Sequence, residues 1–187
     1  MSILDDKTNR QSHEVALAYA TRADFQRIFT EDMGSLHLLA LLLTADADKA
    51  EQVFVSGLEE SIHGNPVFKE WARSWSKRVI IRNAIQLLAP SPLESENSSP
   101  TCATAAVSER DAWTTTVMQL PAFDRFVFVI LVLEGHSESD CASLLGCGMH
   151  EMLRARSRAL KCVGAARVND GAARSAAPTG AQLYRFA

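Results

Sequence analysis

Ser137-Glu138-Ser139-Asp140-Cys141-Ala142-Ser143-Leu144-Leu145-Gly146-Cys147-Gly148-Met149-His150-Glu151-Met152-Leu153-Arg154 is the stretch on which the fold turns. Ser137 is a helix-capping residue type, and Asp140 three residues on gives a weaker form of the capping box. The helix it opens is short, Glu138 to Leu145, because Gly146 and Gly148 punctuate the chain. A second helix starts near Met149. Two helices joined by so tight a turn form a helix-turn-helix. At about 100° per residue, Met149, Met152, Leu153, Ala159 and Val163 share one face and are expected in the core. His150, Glu151, Arg154, Ser157 and Lys161 fall opposite, with Arg158 on the flank. Polar and basic side chains there can reach base edges or phosphates, so these six are candidate DNA-binding residues. Arg156 falls on the apolar side and must snorkel.

The rest of the chain reads outward from this block. Glu134-Gly135-His136 is a turn, an apolar helix covers about Phe123 to Leu133, Leu120-Pro121 marks a corner, and helical signals begin near Glu109. Before it, Ala89 to Ser108 holds three prolines and several serines without periodicity, the composition of a flexible linker. Phe25, Ile28, Phe29, Met33, Leu36, Leu39, Ala40 and Leu43 recur at helical spacing, which predicts one element over Phe25–Leu43. Thr44 is then placed to cap a helix carrying Asp46 and Asp48 in its first turn, with Val53, Phe54, Leu58 and Ile62 behind. His63-Gly64-Asn65-Pro66 breaks it, and a helix over about Val67–Leu88 follows. No stretch has the pattern of a sheet strand. The expected architecture is all-α: two small helical domains, 25–88 and 109–167, joined by a linker at 89–108, with flexible ends at 1–24 and 168–187. The second domain contains the helix-turn-helix.

Composition narrows the function classes. The 187 residues are 47% hydrophobic and 22% charged, ordinary for a folded protein. The longest apolar run, Leu38 to Leu43, is far too short to span a membrane. Met1 to Arg10 lacks the basic patch and apolar stretch of a secretory leader, which points to the cytoplasm and reduced thiols. The four cysteines, Cys102, Cys141, Cys147 and Cys162, are too few and irregular for a disulfide framework. Cys147, His150, His136 and Cys141 could in principle ligate zinc, but Cys141 lies in a core pattern, so no metal is expected. No phosphate loop or catalytic motif appears, so neither enzyme activity nor a cofactor is expected.

The net charge of −3 hides strong segregation. Thr30 to Ile62 holds seven acids against Lys49 alone, whereas Pro66 to Leu88 holds Lys69, Arg73, Lys77, Arg78 and Arg82 against Glu70. Trp71 and Trp75 stack at a spacing of four with Phe68 and Val79, which places them in the core. The sharper alternative is an aromatic platform for unpaired bases beside Lys77, Arg78 and Arg82, three further candidate DNA-binding residues.

The order of motifs resembles the sigma-70 family of sigma factors, with the short extracytoplasmic-function branch looking most similar. Leu120-Pro121, Arg125, Glu134-Gly135-His136-Ser137 and Cys141-Ala142-Ser143-Leu144-Leu145-Gly146 resemble region 4, with Arg158-Ala159 near its end. Leu42-Leu43-Thr44-Ala45-Asp46 with Ala50-Glu51, then Phe68, Trp71 and Arg82-Asn83-Ala84-Ile85, resemble region 2. The resemblance covers about Phe25–Leu88 and Leu120–Val163. It implies a protein that directs core RNA polymerase to promoter DNA, binding polymerase through the first domain and the upstream promoter element through the second. Asp46, Asp48 and Glu51 are the candidate polymerase-binding residues. An anti-sigma factor is a further partner the resemblance allows, and a membrane is not one. The sequence departs from the family pattern at Phe54-Val55-Ser56, Gln86, Leu87-Leu88-Ala89-Pro90, Gly148 and Arg156. Those departures motivate two rivals: a degenerate sigma-like regulatory or interaction protein, and a helix-turn-helix DNA-binding regulator that works without polymerase.

Overall fold

The computed structural model describes residues 18–93 and 109–175, and the expectations for 1–17, 94–108 and 176–187 lie outside the described residues. Regular structure among the described residues is helical, as the sequence pattern predicts, with a lone β-bridge between Tyr19 and Phe68. No helix there is long and apolar enough to cross a membrane.

Helix α1 (Arg22–Glu31) opens on a full capping box. The Thr21 hydroxyl accepts from the Asp24 amide at 3.3 Å, and the Asp24 carboxylate accepts from the Thr21 amide at 2.9 Å. Helix α2 (Met33–Thr44) follows after Asp32 alone, so the predicted single element Phe25–Leu43 is in fact two helices. Asp32, at φ −99° and ψ 13°, breaks the ladder without disturbing the spacing of apolar residues, which is why the pattern runs straight through it.

Helix α3 (Ala47–His63) is capped by Asp46 rather than by Thr44. The Asp46 carboxylate accepts from the amides of Asp48 and Lys49 at 3.0 and 3.1 Å. Thr44 instead ends α2, its hydroxyl bonded to the carbonyls of Ala40 and Asp46. Helix α4 (Ala72–Leu88) also starts later than predicted, after a 3₁₀ turn over Lys69–Trp71 that is preceded by an extended Phe68. The two helices approach closely at Gly57, where a Cβ would lie 3.0 Å from Ile80 Cγ1.

Helix α5 (Glu109–Gln119), α6 (Ala122–Phe128), a π-helical turn over Val129–Leu133, α7 (Glu138–Leu145) and α8 (Met149–Ser175) complete the order. Helix α8 runs well beyond the predicted end near Val163, into the stretch from Asn169 expected to fray. Its buried face is also rotated from the predicted one. Met152, Ala155, Ala159, Cys162 and Val163 are buried, while Met149 and Leu153 are 44% and 41% exposed. The small Ala155 and Ala159 let α8 lie close against α6, so the stripe centres on them and the larger residues fall to its edge.

One apolar cluster joins the two halves of the chain. Leu43, Val53, Ile80 and Ile81 belong to the same buried set as Val117, Phe123, Phe126, Ile130 and Met152. Helix α2, apolar nearly all round, packs against α3 and α4 on one side and α5 and α6 on the other.

Candidate nucleic-acid interface

The first helix and the turn of the helix-turn-helix form where predicted, and the second helix starts at Met149. Ser137 Oγ accepts from the Asp140 amide at 3.1 Å, and the hydroxyl donates to the Asp140 carboxylate at 2.6 Å. Helix α7 ends at Gly146, whose φ of 60° lies in the left-handed region that glycine enters without strain. Cys141 is fully buried beneath the turn. Burial pushes its thiol up to about 12, and burial likewise raises that of Cys147, so both are protonated at neutral pH.

Of the six candidates on α8, His150, Arg154, Ser157 and Lys161 are exposed in a row. The other two, Glu151 and Arg158, are half-buried and serve structural contacts. Glu151 reaches back over the helix start and accepts from the Gly148 amide at 2.8 Å, capping α8 itself. Arg158 donates to Asp124 of α6 through Nε at 2.8 Å and Nη2 at 2.6 Å. Asp124 is 2% exposed, so this two-pronged pair fixes the rotation of α8 about its own axis. Arg156 reaches out to Glu138 of α7 at 2.7 Å, which ties the two helices of the motif together.

The basic residues of α4 are divided in the same way. Lys77 pairs with Glu134 at 2.8 Å, across the two halves of the chain. Arg82 pairs with Glu60 of α3 and lies 5.7 Å from the centre of the Trp75 ring. Arg78 is exposed and lines a groove of about 530 Å³ with Tyr19, Val67, Phe68, Trp71, Trp75 and His136. The expectation that Trp71 and Trp75 lie in the core is corrected for Trp71, which is 57% exposed, whereas Trp75 is partly buried against the small cluster of Phe25, Ile28 and Ala72. The chain does not enter α4 until Ala72, so the 3₁₀ turn swings Trp71 outward, edge-on to Phe68 at 5.3 Å. Among the described residues, the buried indole Nε1–H of Trp75 finds no acceptor, which costs about 1–3 kcal/mol.

The acidic candidates lie on a different face. Asp46 is engaged in capping α3, and Asp48 and Glu51 stand exposed on its first two turns. Three contributions are not legible in the sequence. Tyr19 and His136 line the groove from distant parts of the chain, a proximity that no local pattern encodes. Arg125 was read only as part of a motif. It is buried, with Nε donating to the carbonyl of Leu43 at 3.1 Å, Nη2 to that of Thr44 at 3.4 Å, and Nη1 to those of Met118 and Leu120 at 3.2 and 3.0 Å. It thereby holds the C-terminal end of α2 to α5 and α6. Burial pushes its pKa down to about 10.

No family model matches the chain, and no curated protein does. Among solved structures, the chain is similar to the sigma factor RpoE of Bartonella quintana, seen in a co-crystal with the anti-sigma factor NepR. The two are 18% identical, with 79% of this chain and 98% of that one covered and a TM-score of 0.47. Likeness of that degree carries no functional argument.

Proposed function

We propose that this chain is a sigma-factor-like DNA-binding protein of the extracytoplasmic-function type that directs core RNA polymerase to promoters. The observation that carries the proposal is the exposed row His150, Arg154, Ser157 and Lys161 on α8. The helix start is capped by Glu151 and its rotation is set by the Asp124–Arg158 pair. A recognition helix held in this way can present the same side chains to the major groove each time it binds. In this reading Asp48 and Glu51 meet polymerase, Asp46 and Glu151 support the helices they cap, and Arg158 positions the recognition helix. The aromatic groove beside Arg78 takes an unpaired base. An anti-sigma factor would act by covering one of these faces, and the protein would work in the cytoplasm.

Run-off transcription with core polymerase, with and without the protein, tests this on a library of promoter fragments. Initiation that depends on the protein supports it, and transcripts identical in both reactions count against it. The reading of a degenerate regulatory protein draws on one specific observation. Val55, 46% exposed, stands on α3 where the family pattern is polar. Such a protein would bind core polymerase weakly or not at all in a co-purification. A polymerase-independent regulator would instead bind specific duplex DNA on its own at physiological salt.

A further inference from the structure

The residues just before α1 lie across the aromatic groove. The Ala20 amide donates to the Val67 carbonyl at 2.7 Å, and Tyr19 forms an antiparallel bridge with Phe68. The Tyr19 ring lies on the Phe68 ring with centroids 4.6 Å apart and planes 18° from parallel, a stacked pair. Phe68 in turn meets the edge of Trp71. Tyr19 therefore occupies a π-face of the groove that an incoming planar ring would need. On its C-terminal side, Thr21 is locked into the capping box of α1, and Ala20 packs against the small cluster of Phe25, Ile28 and Ala72. Among the described residues, the hold across the groove is the Ala20–Val67 backbone hydrogen bond and the Tyr19–Phe68 stack, each modest in water.

We propose that Tyr19 is a strap that closes this groove from within and must lift before an unpaired base can stack there. The proposal rests on the reading above that the groove takes such a base. The strap uses the same interaction as its competitor. A stack on Phe68 is sequence-tolerant and is exchanged face for face, so occupancy follows the relative strength of the tyrosine and base stacks.

The test uses the full chain and two readings. Acrylamide quenching of tryptophan fluorescence reports the strap directly, with Trp113 in the main core as a constant background. Fluorescence anisotropy with labelled single-stranded oligothymidylate reports the base site. Tyr19→Ala and Tyr19→Leu both remove the stacking ring, the second while keeping bulk, and Tyr19→Phe retains it. The expected result is increased quenching in Tyr19→Ala and Tyr19→Leu but not in Tyr19→Phe. Oligothymidylate binding should tighten about tenfold in the first two, as expected from releasing one stack. Quenching that is the same in all four proteins overturns the strap, whatever the binding. Increased quenching with no binding by any variant supports the strap and overturns the base-stacking reading of the groove. Tighter binding without increased quenching overturns the strap as its cause.

Discussion

Ala45 is an alanine at φ 54°, in the left-handed region, and it links α2 to the Asp46 cap of α3. A Cβ there is crowded by the backbone, whereas glycine adopts this conformation freely. Ala45→Gly is expected to stabilise the fold by about 1 kcal/mol, from relief of strain partly offset by a freer unfolded chain. In a thermal melt that corresponds to a rise of about 2–4 °C. A lower midpoint would mean that the junction is not strained. Arg154 poses a different question at the same scale, because it is exposed on the first turns of α8. If it reads a guanine, Arg154→Ala should weaken promoter binding by about 1–3 kcal/mol and relax preference at one base pair. If it binds phosphate, all sequences should weaken alike and the salt slope should fall by about one. Binding to a promoter duplex and to a scrambled one, at several salt concentrations, separates these outcomes. No change in either would remove Arg154 from the interface.

At the scale of elements, the sequence is most legible where local chemistry marks an end. Ser137, Asp140 and Gly146 announce α7, and the structure uses all three as predicted. It is least legible where a break leaves the periodicity intact, as at Asp32, or where two capping residues compete, as Thr44 does with Asp46. The candidate site divides along the same line. Exposure of His150, Arg154, Ser157 and Lys161 follows from helical spacing. The partners of Arg158, Lys77 and Arg82 lie 34, 57 and 22 positions away, beyond any local pattern. The acidic start of α3 yields a prediction for the element as a whole. Asp48 and Glu51 are exposed and Asp46 is engaged in the cap, so charge reversal belongs at the first two. Asp48→Lys with Glu51→Lys should weaken binding to core polymerase, more at low salt than at high, because exposed charges are screened. Part of any loss of stability would come from the helix dipole, which disfavours positive charge at this end. A double variant that melts like the parent and binds polymerase equally well would exclude this face.

For the whole molecule, the question is how the two helical halves are joined. Composition marks 89–108 as a linker, yet the described halves share one apolar cluster and two polar ties. Lys77–Glu134 is partly exposed and screened by salt, so it holds little by itself. Arg125 is the stronger tie, because its guanidinium satisfies the carbonyls of Leu43 and Thr44 at the negative end of α2 from inside the other half. Limited proteolysis should cut first within 89–108. The nicked protein is expected to elute as one species at moderate salt, held by the shared core and Arg125. Arg125→Ala leaves buried carbonyls without a donor, at a cost of about 1–3 kcal/mol, and the nicked variant should separate into two folded fragments. The effect of Arg125 on stability has a definite pH dependence. Its pKa is depressed in the fold to about 10, so the unfolded chain holds the proton more tightly and folding disfavours the charged form. Stability should therefore rise only as pH climbs through that value, and the difference between parent and variant should be flat across the neutral range. Size-exclusion chromatography of the nicked proteins decides the matter: separation of the nicked parent would place the bond between the halves elsewhere than in Arg125 and the core around it.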